Sequence, residues 1–172
     1  MAFYNSFINN LTIGTDVSII PQNCFGGVKW LSKLVLPASI TKIENQGIQT
    51  STSVDLYNVT FLSDTPPTIG SNTLTIKPNL VIYVKNSAIN SYKNAGGNWN
   101  NVSTYIVPLA AIDYDDTTYT VTASGRDNVE LYVDASLINS SVYTFVPDTI
   151  DVSHNITVKS VDPSLGILDE VT

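Results

Sequence analysis

The sequence has few of the residues that build covalent or metal-stabilised sites. Its 172 residues include one cysteine and one histidine. A single cysteine, Cys24, excludes an intramolecular disulfide framework. His154, in "DVSHNIT", has no partners with which to complete a zinc set, and we interpret it as a surface-turn residue. Because neither a nucleophile elbow nor a phosphate-binding loop is present, we predict no enzymatic activity and no cofactor.

Charged residues and long apolar stretches are also scarce. Charged side chains make up 13% of the chain, while Val, Thr, Ser and Asn are common, and this composition favours strands and turns over helices. No apolar run is long enough to span a membrane as a helix. The opening residues, "MAFYNSFINN", lack the basic start and the apolar core of a signal peptide. We therefore expect no membrane partner and no export signal.

The few charges are unevenly divided along the chain. Residues 1–109 contain six lysines and four acidic residues, whereas residues 110–172 contain two basic and eleven acidic residues. This shift predicts a domain boundary near residues 109–112. It also argues against a nucleic-acid partner, because phosphate binding needs clustered lysine and arginine.

The sequence does contain a repeated ten-residue pattern. "LTIGTDVSII" at residues 11–20 and "LVLPASITKI" at residues 34–43 place large aliphatic residues at the same four positions, so that Leu34 corresponds to Leu11 and Ile43 to Ile20. A third copy begins at the same spacing with Tyr57 and Val59. A period of about 20 to 29 residues around an L-x-L core is typical of leucine-rich repeats, in which stacked coils share one core. Chance alternation within a β-sandwich is the alternative explanation.

These residues resemble BspA-like leucine-rich repeats. The pattern "LxLPxSIxxI" is similar to that family's repeat, as are Cys24, Phe25 and Gly26 after the first copy. The family often has Cys or Ala at the position of Cys24, so the resemblance implies that Cys24 is a small buried residue rather than a nucleophile. "AFYNS" at residues 2–6 is similar to the end of a preceding repeat, "AFxxC", with Ser6 where the family usually has Cys.

The closing segment carries the most specific part of the resemblance, which covers roughly residues 2–109. Arrays of this family close with a Thr-Pro-Pro turn, an "IYVP" strand and an "AYKxxxxW" helix. The matching residues are Thr65, Pro66, Pro67, Ile69, Gly70, Ile82, Tyr83, Val84, Ser87, Tyr92, Lys93 and Trp99. Lys85 stands where the family has Pro, so we expect a looser turn there.

The repeat and the resemblance imply that residues 1–109 form a short leucine-rich-repeat solenoid with a terminal cap helix. We expect parallel strands at residues 11–13, 34–36, 59–61 and 82–84. The residues predicted to point inward are Leu11, Ile13, Leu34, Leu36, Val59, Ile82 and Val84. One outward row, the predicted partner-binding surface, contains Thr12, Val35, Asn58 and Tyr83. Ser87 is predicted to cap the closing helix, with Ile89, Tyr92 and Trp99 facing the core.

Residues 110–172 are predicted to form a small acidic β-sandwich, immunoglobulin-like in type. Alternating segments at residues 118–123, 129–135, 141–146 and 154–161 predict four strands separated by turns. About sixty residues is short for a complete immunoglobulin fold, so we expect a reduced sandwich or one completed by a neighbour. The whole chain is thus expected to be mainly β.

One acidic cluster lies at the start of this second segment. Asp113, Asp115 and Asp116, in "DYDD", are a weak candidate calcium site, because hard cations bind clustered carboxylate oxygens. The spacing lacks the pattern of an EF-hand loop. We therefore interpret these residues as solvated charge at a hinge and predict no metal.

These patterns predict a non-enzymatic display or interaction protein. BspA-like repeats are associated with bacterial surface adhesins, which implies export, yet neither an export signal nor a sorting motif or anchor is recognised. A bacteriophage virion protein, released by lysis, reconciles the two. We therefore expect a capsid decoration, head-fibre or tail-associated protein whose partners are other virion proteins, identical subunits, or a bacterial surface glycan or protein. The alternative is a bacterial cell-surface adhesin module that binds host protein or glycan. A fragment of a longer surface protein and an intracellular interaction domain are two further explanations.

Overall fold

The structure is a computed structural model, and it describes residues 3, 6–28, 30–49, 58–74, 76, 78–126, 128–146 and 153–172. The fold is mainly β, with one five-residue α-helix in the described part. The chain divides into two compact units, residues 1–107 and residues 108–172, close to the position that the sequence predicts. Within the described residues, no helix has the length and apolar character needed to cross a membrane.

The N-terminal unit contains two sheets whose strands follow each other at regular intervals. In chain order the strands are β1 (Asn10–Thr12), β2 (Ile19–Ile20), β3 (Lys33–Leu36), β4 (Lys42–Ile43), β5 (Asn58–Phe61), β6 (Thr68–Ile69), β7 (Val81–Val84) and β8 (Ile106–Pro108). The larger sheet has the order β1-β3-β5-β7-β8 and the smaller sheet has the order β2-β4-β6. The pairings among β1 to β7 are parallel. From β1 to β6, each coil of the chain therefore adds one strand to each sheet.

Hydrophobic residues of successive coils lie side by side across the larger sheet. Leu11 pairs with Leu34, Leu34 pairs with Val59, and Val59 pairs with Ile82. The core-facing residues with 0% exposure are Leu34, Leu36, Val59, Ile82 and Val84. Leu11 and Ile13 are partly buried against the same core. The predicted parallel pairing and the predicted inward residues are confirmed.

Between β4 and β5 the chain is two residues longer than the repeat pattern predicts. A constant repeat spacing would place Tyr57 beside Leu34, but Val59, two positions further along the chain, pairs with Leu34 instead. Tyr57 itself lies outside the described residues. Because side chains alternate along a strand, a shift of two positions keeps Val59 on the core face.

A left-handed backbone conformation recurs at the turn after each strand of the smaller sheet. Asn23, Gln46 and Asn72 have φ angles of 54°, 59° and 50°. The N–H of Asn23 donates to the carbonyl oxygen of Asn45 at 3.3 Å, and the N–H of Gln46 donates to that of Ser71 at 3.0 Å. These stacked turns hold each coil on the next one.

A short helical segment follows β7. It comprises a 3₁₀ turn (Asn86–Ala88), α1 (Ile89–Lys93) and a second 3₁₀ helix (Gly97–Asn101). Ala88 occupies the N-cap of α1, and no side-chain hydrogen bond caps this helix. The prediction that Ser87 caps the helix is wrong, because Ser87 lies inside the preceding 3₁₀ turn.

An aromatic cluster closes this end of the N-terminal unit. The rings of Phe61, Tyr92 and Trp99 contact each other with centroids 5.0–5.7 Å apart. The indole N–H of Trp99 donates to the carbonyl oxygen of Pro67 at 2.9 Å, and the hydroxyl of Tyr92 donates to that of Ser63 at 3.1 Å. Burial raises the pKa of the Tyr92 hydroxyl. The prediction that Tyr92 and Trp99 face the core is confirmed by exposures of 0% and 4%.

The second unit consists of antiparallel strands in two sheets. In chain order they are β9 (Ala110–Asp115), β10 (Thr120–Gly125), β11 (Val129–Val133), β12 (Ser136–Ile138), β13 (Val142–Thr144), β14 (Ile156–Asp162) and β15 (Gly166–Val171). One sheet has the order β13-β10-β9 and the other has the order β12-β11-β14-β15. The core of this unit includes Ala110, Val121, Ala123, Leu131 and Val158.

The sequence predicts β10, β11, β13 and β14 but misses β9, β12 and β15. Asp113 and Asp115 belong to β9, so their assignment to a hinge is wrong. β11 and β12 are joined by Asp134 and Ala135, whose φ angles are 49° and 64°. Such two-residue turns usually carry Asn-Gly, so "Asp-Ala" offers no turn signal in the sequence.

Candidate functional site

The predicted partner-binding row follows the larger sheet, but its members are not all in register. Thr12 pairs with Val35, Val35 pairs with Thr60, and Thr60 pairs with Tyr83. Asn58 precedes Thr60 by two positions and lies in the neighbouring row. The inclusion of Asn58 in the outward row is therefore wrong, and the cause is the two additional residues between β4 and β5.

Burial also divides this row into accessible and inaccessible parts. Val35 is 2% exposed and Thr60 is 0% exposed, although both alternate with core residues and face the opposite side of the sheet. Thr12 is exposed and Tyr83 is partly exposed. A partner can therefore reach the two ends of the row but not its centre, and the expectation that Val35 is presented to a partner is wrong.

The smaller sheet displays a second row, which the hydrophobic pattern did not reveal. Ile19, Lys42 and Thr68 occupy equivalent positions on the three strands, and all three are exposed. A groove of about 330 Å³ lies beside this row, and its lining includes Glu44 and Gly70. The repeat spacing leads directly from Ile19 to Lys42, so the repeat itself contained the signal for this row.

The charges in this groove are paired with each other. The Lys42 Nζ atom lies 3.1 Å from the Glu44 carboxylate, and the backbone N–H of Gln22 donates to the same carboxylate at 3.1 Å. The hydrogen bond from Lys42, followed by that from Gln22, holds the pKa of Glu44 below its ordinary value. A polar groove whose charges balance suits hydrogen bonding to a partner rather than proton transfer.

An exposed aromatic pair lies on the first two coils. The rings of Phe7 and Trp30 meet edge to face with centroids 5.4 Å apart, and the residues are 66% and 68% exposed. Trp30 also has a left-handed φ of 73°, a conformation that is costly for residues with a side chain. Large exposed rings are typical contact residues in interfaces. The interval from Phe7 to Trp30 equals that between the two copies of the repeat, so the repeat spacing again contained the signal.

The three carboxylates considered as a calcium site do not form a cluster. Among the described residues, no group of three or more His, Cys, Asp or Glu side chains is arranged to hold a metal ion. The carboxylate of Asp115 accepts the N–H of Thr117 at 2.9 Å and that of Thr118 at 3.2 Å. The first of these bonds is the largest cause of the lowered pKa of Asp115. Asp115 thus stabilises the turn at residues 116–119, which includes Asp116, whereas Asp113 lies within β9.

His154 and Cys24 both have structural surroundings. The His154 Nδ1 atom lies 2.6 Å from one carboxylate oxygen of Asp134, and the other oxygen accepts the N–H of Asn155 at 3.0 Å. These two bonds, that of His154 first, hold the pKa of Asp134 below its ordinary value. His154 is partly buried and anchors the turn at Asp134, so it is not a simple surface-turn residue. Cys24 is 6% exposed in the core of the N-terminal unit, and its interpretation as a small buried residue is confirmed.

Comparison with known proteins agrees with the repeated coils. The sequence profile of the family described as "BspA type Leucine rich repeat region (6 copies)" matches residues 1–108. Among curated proteins, none matches the sequence. Repeats of this type indicate a protein-interaction or surface module. Because the match covers more than half of the chain, the protein belongs to the BspA-type leucine-rich-repeat family.

Proposed function

We propose that this protein is a non-enzymatic display protein of a bacteriophage particle, and that its N-terminal unit is the interaction module. The observation that carries the interaction role is the register of the two parallel sheets. Equivalent residues of successive coils lie side by side, as Ile19, Lys42 and Thr68 do on the smaller sheet. A buried core fixes these side chains at a constant spacing, which is how repeat proteins build binding surfaces.

The finer architecture is part of this proposal. We interpret the N-terminal unit as a short solenoid that the Phe61, Tyr92 and Trp99 cluster caps. We interpret the second unit as an immunoglobulin-like sandwich, supported by its three-stranded and four-stranded antiparallel sheets. Two compact units with different charge allow one unit to attach to a particle while the other is displayed.

The virion setting defines the expected partners. On a capsid, head fibre or tail, one unit would bury about 800 Å² per partner against another virion protein or an identical subunit. The contact would recur around the particle, because closed assemblies repeat one interface.

A bacterial cell-surface adhesin is the second candidate, and the aromatic pair favours it. Phe7 and Trp30 expose two adjacent rings, a surface suited to a host protein or to the apolar face of a sugar. The adhesin would act from the bacterial surface rather than from a particle.

Antibody labelling distinguishes the two settings. An antibody raised against the purified protein is applied to purified phage particles and, separately, to cells of the encoding bacterium without induced phage. The virion proposal predicts gold label on particles at regular positions. Label on uninduced cell surfaces, with bare particles, would reject that proposal and support the adhesin.

A further inference from the structure

The first coil of the N-terminal unit, which ends before Phe25 and contains β1 and β2, is less well covered than the second coil, which contains β3 and β4. Four of its inward residues are only partly buried, namely Phe3, Ile8, Leu11 and Ile13, whereas Ile20 on β2 is 2% exposed. Their equivalents in the next coil are 0% exposed, namely Phe25, Leu31, Leu34 and Leu36. The ring of Phe3 stacks on that of Phe25 at 5.3 Å, which shows how one coil covers the next. The outer side of the first coil therefore presents apolar surface that a further layer would bury.

The backbone of the same coil has hydrogen-bonding capacity on its outer side. β1 is the edge of the larger sheet. Ile13 donates its N–H to the carbonyl oxygen of Val35 at 2.9 Å, so the odd-numbered residues of this segment bond to β3. The backbone N–H and C=O groups of successive residues point alternately to the two edges of a strand. Asn10 and Thr12 therefore direct these groups away from β3. An edge of this kind pairs with another polypeptide strand.

The spacing of these groups is self-complementary. In an antiparallel pair centred on Leu11, Asn10 lies opposite Thr12 of a second copy, and Thr12 lies opposite its Asn10. Each such pair exchanges both of its N–H···O bonds. Leu11 of one copy then meets Leu11 of the other at the twofold axis, which extends the apolar core across the contact.

The low charge and the exposed apolar side chains of the first coil also favour a second copy of this chain as the partner. Between residues 6 and 23 the only charged side chain is Asp16, although the whole chain has a net charge of −7. Phe7, Val17 and Ile19 of this coil are exposed by 66%, 37% and 47%. This coil itself therefore brings little like charge into a contact between two copies.

We propose that two copies of this chain dock end to end through the first coil, with their β1 strands paired antiparallel about Leu11. The contact combines burial of apolar side chains with pairing of strand edges, a combination that a glycan or a nucleic acid does not match. The inference stands on the first coil and not on the phage setting, so either can fail without the other.

Multi-angle light scattering during size-exclusion chromatography tests the proposal on the full chain. At concentrations from about 1 to about 100 µM, the expected limiting mass is twice the chain mass of 18.6 kDa. Asn10→Lys combined with Thr12→Lys places four ammonium groups along the paired edges, so this variant should remain monomeric. Ser91→Lys combined with Asn100→Lys adds the same charge at exposed positions away from the edge and should still dimerise.

A second variant guards against a misfolded double-lysine protein. Thr12→Pro removes the outward N–H at an edge position, where proline is tolerated, and should also give a monomer with unchanged circular dichroism. A monomeric mass for either of these variants, if it is folded, supports the pairing. A wild-type mass of 18.6 kDa at the highest concentration, or a dimer that persists in both folded variants, overturns it. Stable capture of a different protein at this edge in place of the dimer also overturns it.

Discussion

Replacing Leu36 with alanine tests the core that the stacked coils share. Leu36 is 0% exposed and pairs with Phe61 on β5. Leu36→Ala removes three buried carbon groups, which at about 0.8 kcal/mol each costs about 2.4 kcal/mol. Neighbouring strands limit collapse around the gap, so the residual cavity should raise the loss to about 3–5 kcal/mol.

Tryptophan fluorescence can report this loss for the N-terminal unit alone. The two tryptophans, Trp30 and Trp99, both lie in that unit. Urea titration of the wild type and of Leu36→Ala gives the free energy of unfolding of the unit. Ile76→Ala is the control, because Ile76 is 49% exposed, and it should lose less than about 1 kcal/mol. A loss for Leu36→Ala no larger than that of the control would refute the shared core.

Two further substitutions test local features. A Cβ atom at Gly70 would lie 2.5 Å from the backbone nitrogen of Asn45, whereas one at Gly14 would meet nothing within 4 Å. Gly70→Ala should therefore destabilise the N-terminal unit by about 1–3 kcal/mol and Gly14→Ala should not, so equal urea midpoints would contradict this close approach. The hydroxyl of Ser164 donates to Asp162 at 2.7 Å and is the largest cause of the lowered pKa of that carboxyl. A lowered pKa stabilises the fold above about pH 4, and this contribution is lost as pH falls through the folded pKa. Ser164→Ala should thus lower the urea midpoint, measured by circular dichroism, near neutral pH, and the difference from the wild type should shrink as the pH falls below about 4. A difference independent of pH would argue against this role.

The hydrophobic repeat could be predicted from the sequence because burial constrains it directly. A stacked coil needs large aliphatic side chains at fixed positions, and Leu11, Leu34 and Ile82 meet this need. The closing aromatics, Tyr92 and Trp99, were predicted for the same reason, since the last coil exposes an apolar end that must be covered.

Features that depend on backbone conformation or on coil length could not be read from this pattern. The two additional positions before Val59 leave the alternation intact, so the sequence alone did not show that Thr60 replaces Asn58 in the outward row. Gln46 has a left-handed conformation like that of Asn23. Asparagine is common in this conformation and glutamine is not, so the residue type at position 46 does not indicate it. The burial of Val35 depends on the tertiary packing around the sheet, which local alternation does not encode.

The proposal that this protein is a fixed component of a phage particle is tested most directly by counting it in particles. Quantitative mass spectrometry of density-purified virions gives its copy number relative to the major capsid protein. The proposal predicts a constant copy number that agrees with a symmetry of the particle. Absence from the particles, or a variable trace amount that washing removes, would contradict it.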